Sequence, residues 1–149
     1  MNMFRWGIFI LLMGISFSSS AQDISGVWKT VDDKSGNPKG LIEIKSTANN
    51  TYTGTIIKLF PLQGVTVVDI CQNCPAPYTN QPMLGMQVLT QLKYIPETDS
   101  YDGGKILDPR AGKIYSAKVK LQNNGKHLRI RGYIGMSSLG RNQIWIRQN

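Results

Sequence analysis

Residues 113–134 read KIYSAKVKLQNNGKHLRIRGYI. Tyr115, Ala117, Val119 and Leu121 alternate with Ser116, Lys118 and Lys120, and after Asn123-Asn124-Gly125 the pattern resumes with Leu128, Ile130, Gly132 and Ile134 against His127, Arg129, Arg131 and Tyr133. Successive side chains on a strand point to opposite faces, so each run carries one apolar and one wetted face. Asn and Gly accept the positive φ that a tight hairpin turn demands. The stretch is an antiparallel hairpin with one buried side.

Working outward, the same punctuation recurs. Ile24 to Val31 leads into the turn residues Asp33 to Pro38, Leu41 to Lys45 into Thr47 to Asn50, and Thr51 to Leu59 follows. A Gly, Pro and Cys-rich loop occupies residues 60–82. Then come Leu84 to Tyr94, Tyr101 to Leu107, a turn over Asp108 to Gly112, the hairpin above, and Arg141 to Arg147. Leu84, Val88 and Leu92 also fit helical spacing, and the segment is read here as strand. The other connections are too short for a crossover helix. About eight antiparallel strands in one small domain predict an all-β, up-and-down barrel, because closure removes exposed sheet edges.

The first residues address compartment. Arg5 supplies a positive n-region, Ile8 to Phe17 an apolar h-region, and Ser18 to Ala21 a small-residue cleavage pattern, which together predict a signal peptide over residues 1–21. The apolar run is about ten residues, half of what a membrane span requires, so no transmembrane segment is expected after its removal. Residues 22–149 then form one exported domain, periplasmic or secreted. Seventeen Lys and Arg against nine Asp and Glu give a net charge of +8, which falls to +7 once Arg5 is lost. These cations are scattered rather than massed in one run, as on a solvated surface. Export disfavours nucleic acid and leaves a small apolar or anionic ligand, or another envelope protein, as the expected partner.

Cys71 and Cys74 are the only cysteines. A thioredoxin-type couple starts a helix at its first Cys, whereas Pro75 and Pro77 follow here. Zinc needs four ligands, and nothing in the sequence brings His127 and Asp69 to the two thiols. In an oxidising compartment a local disulfide that stiffens the loop remains. Hydrolytic chemistry is as thinly supplied. Gly135 to Gly140 is not G-x-S-x-G, and Asp102 and Asp108 stand at opposite ends of one strand, about 20 Å apart. No catalytic residue, metal or cofactor is expected, and the protein reads as a non-enzyme.

Gly26-Val27-Trp28, a G-x-W near the expected mature start, together with an Arg on the last strand, resembles the lipocalin and fatty-acid-binding superfamily. That resemblance implies that Trp28 closes one end of the barrel, with Arg141 or Arg147 packed across it. A more extensive similarity runs through Gly26-Val27-Trp28-Lys29-Thr30-Val31-Asp32-Asp33, Cys71-Gln72-Asn73-Cys74-Pro75, Gly103-Gly104-Lys105-Ile106-Leu107-Asp108-Pro109, Tyr115-Ser116-Ala117-Lys118, and Arg131-Gly132-Tyr133-Ile134-Gly135 followed by Leu139-Gly140-Arg141. These segments resemble the exported bacterial domain-of-unknown-function family 2147, which implies an envelope β-barrel without an assigned activity. Barrels of this size either fill with side chains or hold one small ligand. Tyr52, Tyr115, Arg129, Arg131 and Tyr133 are the candidates to line or rim such a site. The alternative is a scaffold that docks on a partner through the Cys71–Cys74 loop or its basic surface.

Overall fold

The computed structural model describes residues 23–61, 63–64 and 69–149, so the expected signal peptide lies outside the described residues. Eight strands follow one another in chain order: β1 (Gly26–Val31), β2 (Pro38–Ser46), β3 (Thr51–Leu59), β4 (Gln87–Ile95), β5 (Ser100–Asp108), β6 (Lys113–Gln122), β7 (His127–Tyr133) and β8 (Arg141–Arg147). Each pairs antiparallel with the next, and β8 returns to β1 with Trp28 opposite Arg147, closing the barrel. Among the described residues a single 3-10 turn, Ser137–Leu139, precedes β8.

The hairpin that decides the fold forms for the reasons its sequence contains. Asn123, Asn124 and Gly125 all take positive φ, and the register sets Leu121 opposite Leu128, Val119 opposite Ile130 and Ala117 opposite Gly132. Ala117, Val119, Leu128 and Ile130 are buried in the barrel. The segment with helical spacing is a strand with an irregularity. Leu89 and Leu92 are both buried although three residues apart, because Gln91 sits at φ 60° as an extra residue that shifts the inward face. Gly104 on β5 makes room for this, since a Cβ there would lie 2.6 Å from Leu92. Leu84 stays outside the strand and is exposed.

One end of the barrel is plugged by side chains. Trp28 is fully buried, donates its indole N–H to the Ile24 carbonyl at 2.8 Å, and carries the Arg147 guanidinium 4.2 Å from its ring centroid. That guanidinium also donates from Nε to Gly125 O at 2.7 Å, from Nη1 to Ser25 O at 2.8 Å and from Nη2 to Asp23 O at 2.8 Å. Arg141 stands at the other end, paired with Asp33. Both arginines face inward on β8, and six residues of strand, about 20 Å, separate them.

Tyr101, buried in this plug, meets Tyr52 edge-on at 5.0 Å and Tyr94 at 5.2 Å. Burial, then the charges of Tyr52 and Asp23, hold the Tyr101 phenol well above its usual range. The unfolded chain releases that proton near pH 10 and the folded chain keeps it, so the stability is complete below about pH 10 and is lost as pH rises further. The expected loss is up to about 1.4 kcal/mol per pH unit from this group. Denaturant midpoints followed from about pH 8 to 12 should fall less steeply for Tyr101→Phe, and equal slopes would refute the linkage.

Between β3 and β4 the chain makes its long excursion. Cys71 and Cys74 are bonded to each other with Cα atoms 5.4 Å apart. Cys71 exchanges backbone bonds with Gln81 and Asn80, and Ile70 bridges to Pro82. Both sulfurs lie 3.6 Å from the Pro109 carbonyl. Without a thiol proton these approaches are packing contacts, so the loop rests on the β5–β6 turn.

Candidate functional site

At the end opposite the Trp28 plug, the barrel holds a cavity of about 170 Å³. Its floor is apolar, built by Ile42, Ile56, Val88, Ile130 and Trp145, with Met83 of the excursion and Leu107 on its wall. Tyr115 and Gln143 bring polar atoms partway down, and Lys39, Asp108, Arg110 and Arg141 stand at the rim. The polarity gradient is written in β8, where Arg141, Gln143, Trp145 and Arg147 share the inward face. Gln143 Oε1 accepts from the Trp145 indole at 3.4 Å, tying the polar and apolar layers together.

The rim's acids are occupied. Asp108 Oδ1 accepts the backbone N–H groups of Arg110 and Ala111 at 3.1 and 3.3 Å, and Asp33 holds Arg141. Asp32, in the neighbouring β1–β2 turn, accepts from the Lys34 and Ser35 N–H groups. The Ser35 backbone donor above all keeps its carboxyl below the usual range. Asp32 and Asp108 are thus held by their own turns and Asp33 by Arg141, and the cations that line the cavity are Lys39, Arg110 and Arg141, the last shared with Asp33.

Of the residues singled out from sequence, Tyr115 lies in this cavity. Tyr52 belongs to the plug at the far end. Arg129, Arg131 and Tyr133 sit on the outer face, because Leu128, Ile130 and Gly132 take the inward positions of β7. Arg131 has a structural task there. It donates to Ser137 O at 2.5 Å, Ser138 O at 3.1 Å and Asn142 Oδ1 at 2.9 Å, clamping the β7–β8 loop. Lys39, Arg110, Gln143 and Trp145 were not anticipated. The signal for the last two was the alternation of β8. Lys39 and Arg110 have no local signature, since only closure brings their turns to one rim. The Cys71–Cys74 loop, the expected docking element of the scaffold alternative, turns its cysteine side onto the barrel. Among the described residues no three His, Cys, Asp or Glu side chains converge as metal ligands would.

The family model described as "Uncharacterized protein conserved in bacteria (DUF2147)" matches residues 26–147, from the first residue of β1 to the last of β8. The chain belongs to the DUF2147 family. Among solved structures it is similar to protein HP1028 of Helicobacter pylori, described as belonging to the lipocalin family, with a TM-score of 0.70 and 22% identity over 85% of this chain and 84% of that one. At that identity the likeness concerns the fold, and this DUF2147 chain is a lipocalin-like closed barrel of eight antiparallel strands. No curated protein matches it. The plug and the open cavity occupy opposite ends of this DUF2147 barrel.

Proposed function

We propose that this DUF2147 protein is an exported, non-enzymatic binding module that takes one small, largely apolar molecule with an anionic end. The observation that carries the reading is an apolar cavity open at one end beneath a cationic rim. An engineered apolar cavity of about 150 Å³ holds benzene, so about 170 Å³ accepts a single ring or a short acyl segment. A longer ligand would extend through the mouth past Lys39, Arg110 and Arg141. Export rests on the n-region, h-region and small-residue pattern of residues 1–21, and the Cys71–Cys74 bond suits such a compartment.

Calorimetric titration with octanoate and octanol tests the site. Octanoate should bind more tightly than octanol, and Arg141→Gln should weaken octanoate about fivefold to tenfold while leaving octanol unchanged. Val88→Phe, which puts a ring into the cavity, should remove both while the β spectrum persists. Binding that survives Val88→Phe, or no binding of either compound up to millimolar concentration, overturns the proposal.

A further inference from the structure

Ile134, Met136 and Leu139 are 68%, 68% and 79% exposed, the most exposed large apolar side chains among the described residues. All three lie in the β7–β8 connection. Apolar side chains on a slack loop would fold back; here the backbone prevents it. Arg131 grips Ser137 and Ser138 from below, Leu139 N donates to Met136 O at 3.1 Å, and Gly140 N donates to Ser137 O at 3.2 Å. Gly140 is itself wedged in place, since a Cβ there would meet Gly132 O at 2.7 Å. The loop is braced with its apolar tips pointing away from the barrel. Gly132 before it and Arg141 after it both line the cavity, so the loop stands at the mouth end of the barrel.

The charge around that loop is positive. The β1–β2 and β5–β6 turns open at the same end. There Lys34, Lys39, Lys58, Arg110, Lys113, Arg131 and Arg141 stand against Asp32, Asp33 and Asp108. Asp69 is the remaining described acid of that end and is exposed. Three protruding side chains are far too few for a specific protein interface, which needs about 800 Å² per partner. A bilayer requires no shape complementarity: it accepts apolar tips at the headgroup boundary and rewards nearby cations when its lipids are anionic.

We propose that the β7–β8 loop is a membrane-docking lip that inserts Ile134, Met136 and Leu139 into an anionic lipid surface and sets the cavity mouth against it. The docking deepens the binding reading, since a ligand could then pass between bilayer and barrel without crossing water, but it does not require an occupied cavity.

Cosedimentation with phosphatidylcholine vesicles containing about 30% phosphatidylglycerol tests the proposal. The protein should sediment with them, bind pure phosphatidylcholine several-fold more weakly, and lose affinity as salt rises. The triple variant Ile134→Ser, Met136→Ser, Leu139→Ser alters exposed positions only and should lower partitioning at least tenfold. It should still bind octanoate in solution, while Val88→Phe should still bind vesicles, so failure of the lip and failure of the cavity are read separately. Vesicle binding untouched by the triple variant overturns the proposal. So does a dimer, seen by light scattering, that the triple variant dissolves, for then a second copy of the chain covers these side chains.

Discussion

Trp28→Ala should lower the stability of the barrel by about 3–5 kcal/mol, enough to unfold much of the protein under ordinary conditions. The ring is fully buried where β1 meets β8, the seam whose pairing closes the sheet. Removing it leaves a void beneath Arg147, strands the Ile24 carbonyl that accepted the indole proton, and forfeits the stacked cation. Trp28→Phe, which keeps an aromatic face but no N–H, should fall between. Arg147→Lys should cost about 1–2 kcal/mol: the aliphatic stem still packs, but the guanidinium feeds three carbonyls in divergent directions while stacked, and an ammonium has no rigid fork with which to do both. Urea denaturation of refolded protein measures all three variants. A Trp28→Ala midpoint near that of the parent would mean that the seam is held elsewhere.

Gly112→Ala should cost about 3 kcal/mol and lift the disulfide loop from the mouth. Gly112 has φ 67°, a conformation that costs an L-residue about 1–2 kcal/mol. The new Cβ would also lie 2.0 Å from the Asn73 carbonyl oxygen. Asn73 lies between the two bonded cysteines, so the tight Cys71–Cys74 ring has to move as one body rather than yield by a side-chain rotation. The Cys71–Cys74 bond should still form, while amide exchange accelerates over residues 69–83 and octanoate binding weakens, because Met83 and Pro109 both line the cavity. Gly103→Ala is the control. Gly103 has a similar φ of 72° with nothing within 4 Å of the added Cβ, so it suffers the backbone strain alone. Equal losses from the two substitutions would show that the docking of the loop contributes nothing.

The strands, their antiparallel order and the turns were legible from local chemistry. Period-two alternation and left-handed-tolerant turn residues act over a few positions, and β6 with β7 follows them residue by residue. The same alternation places Arg129, Arg131 and Tyr133 on the outer face, so their nomination as ligand contacts conflicted with a pattern already visible in β7. The identity of the Trp28 partner was not legible. Arg141 and Arg147 share one parity on β8, and only the register of β8 against β1 assigns Arg147 to the plug and Arg141 to the mouth. The cavity was equally hidden, because empty volume depends on how inward side chains from all eight strands fill the centre, which no single run encodes. Lys39 and Arg110 become neighbours of one mouth only when the barrel closes, and the contact of Asn73 with Gly112 joins turns far apart in the chain. Local steric and polar preferences thus determined which segments are strands and which way each side chain points, whereas the non-local geometry of closure decided which end is sealed, which is open, and which residues meet there.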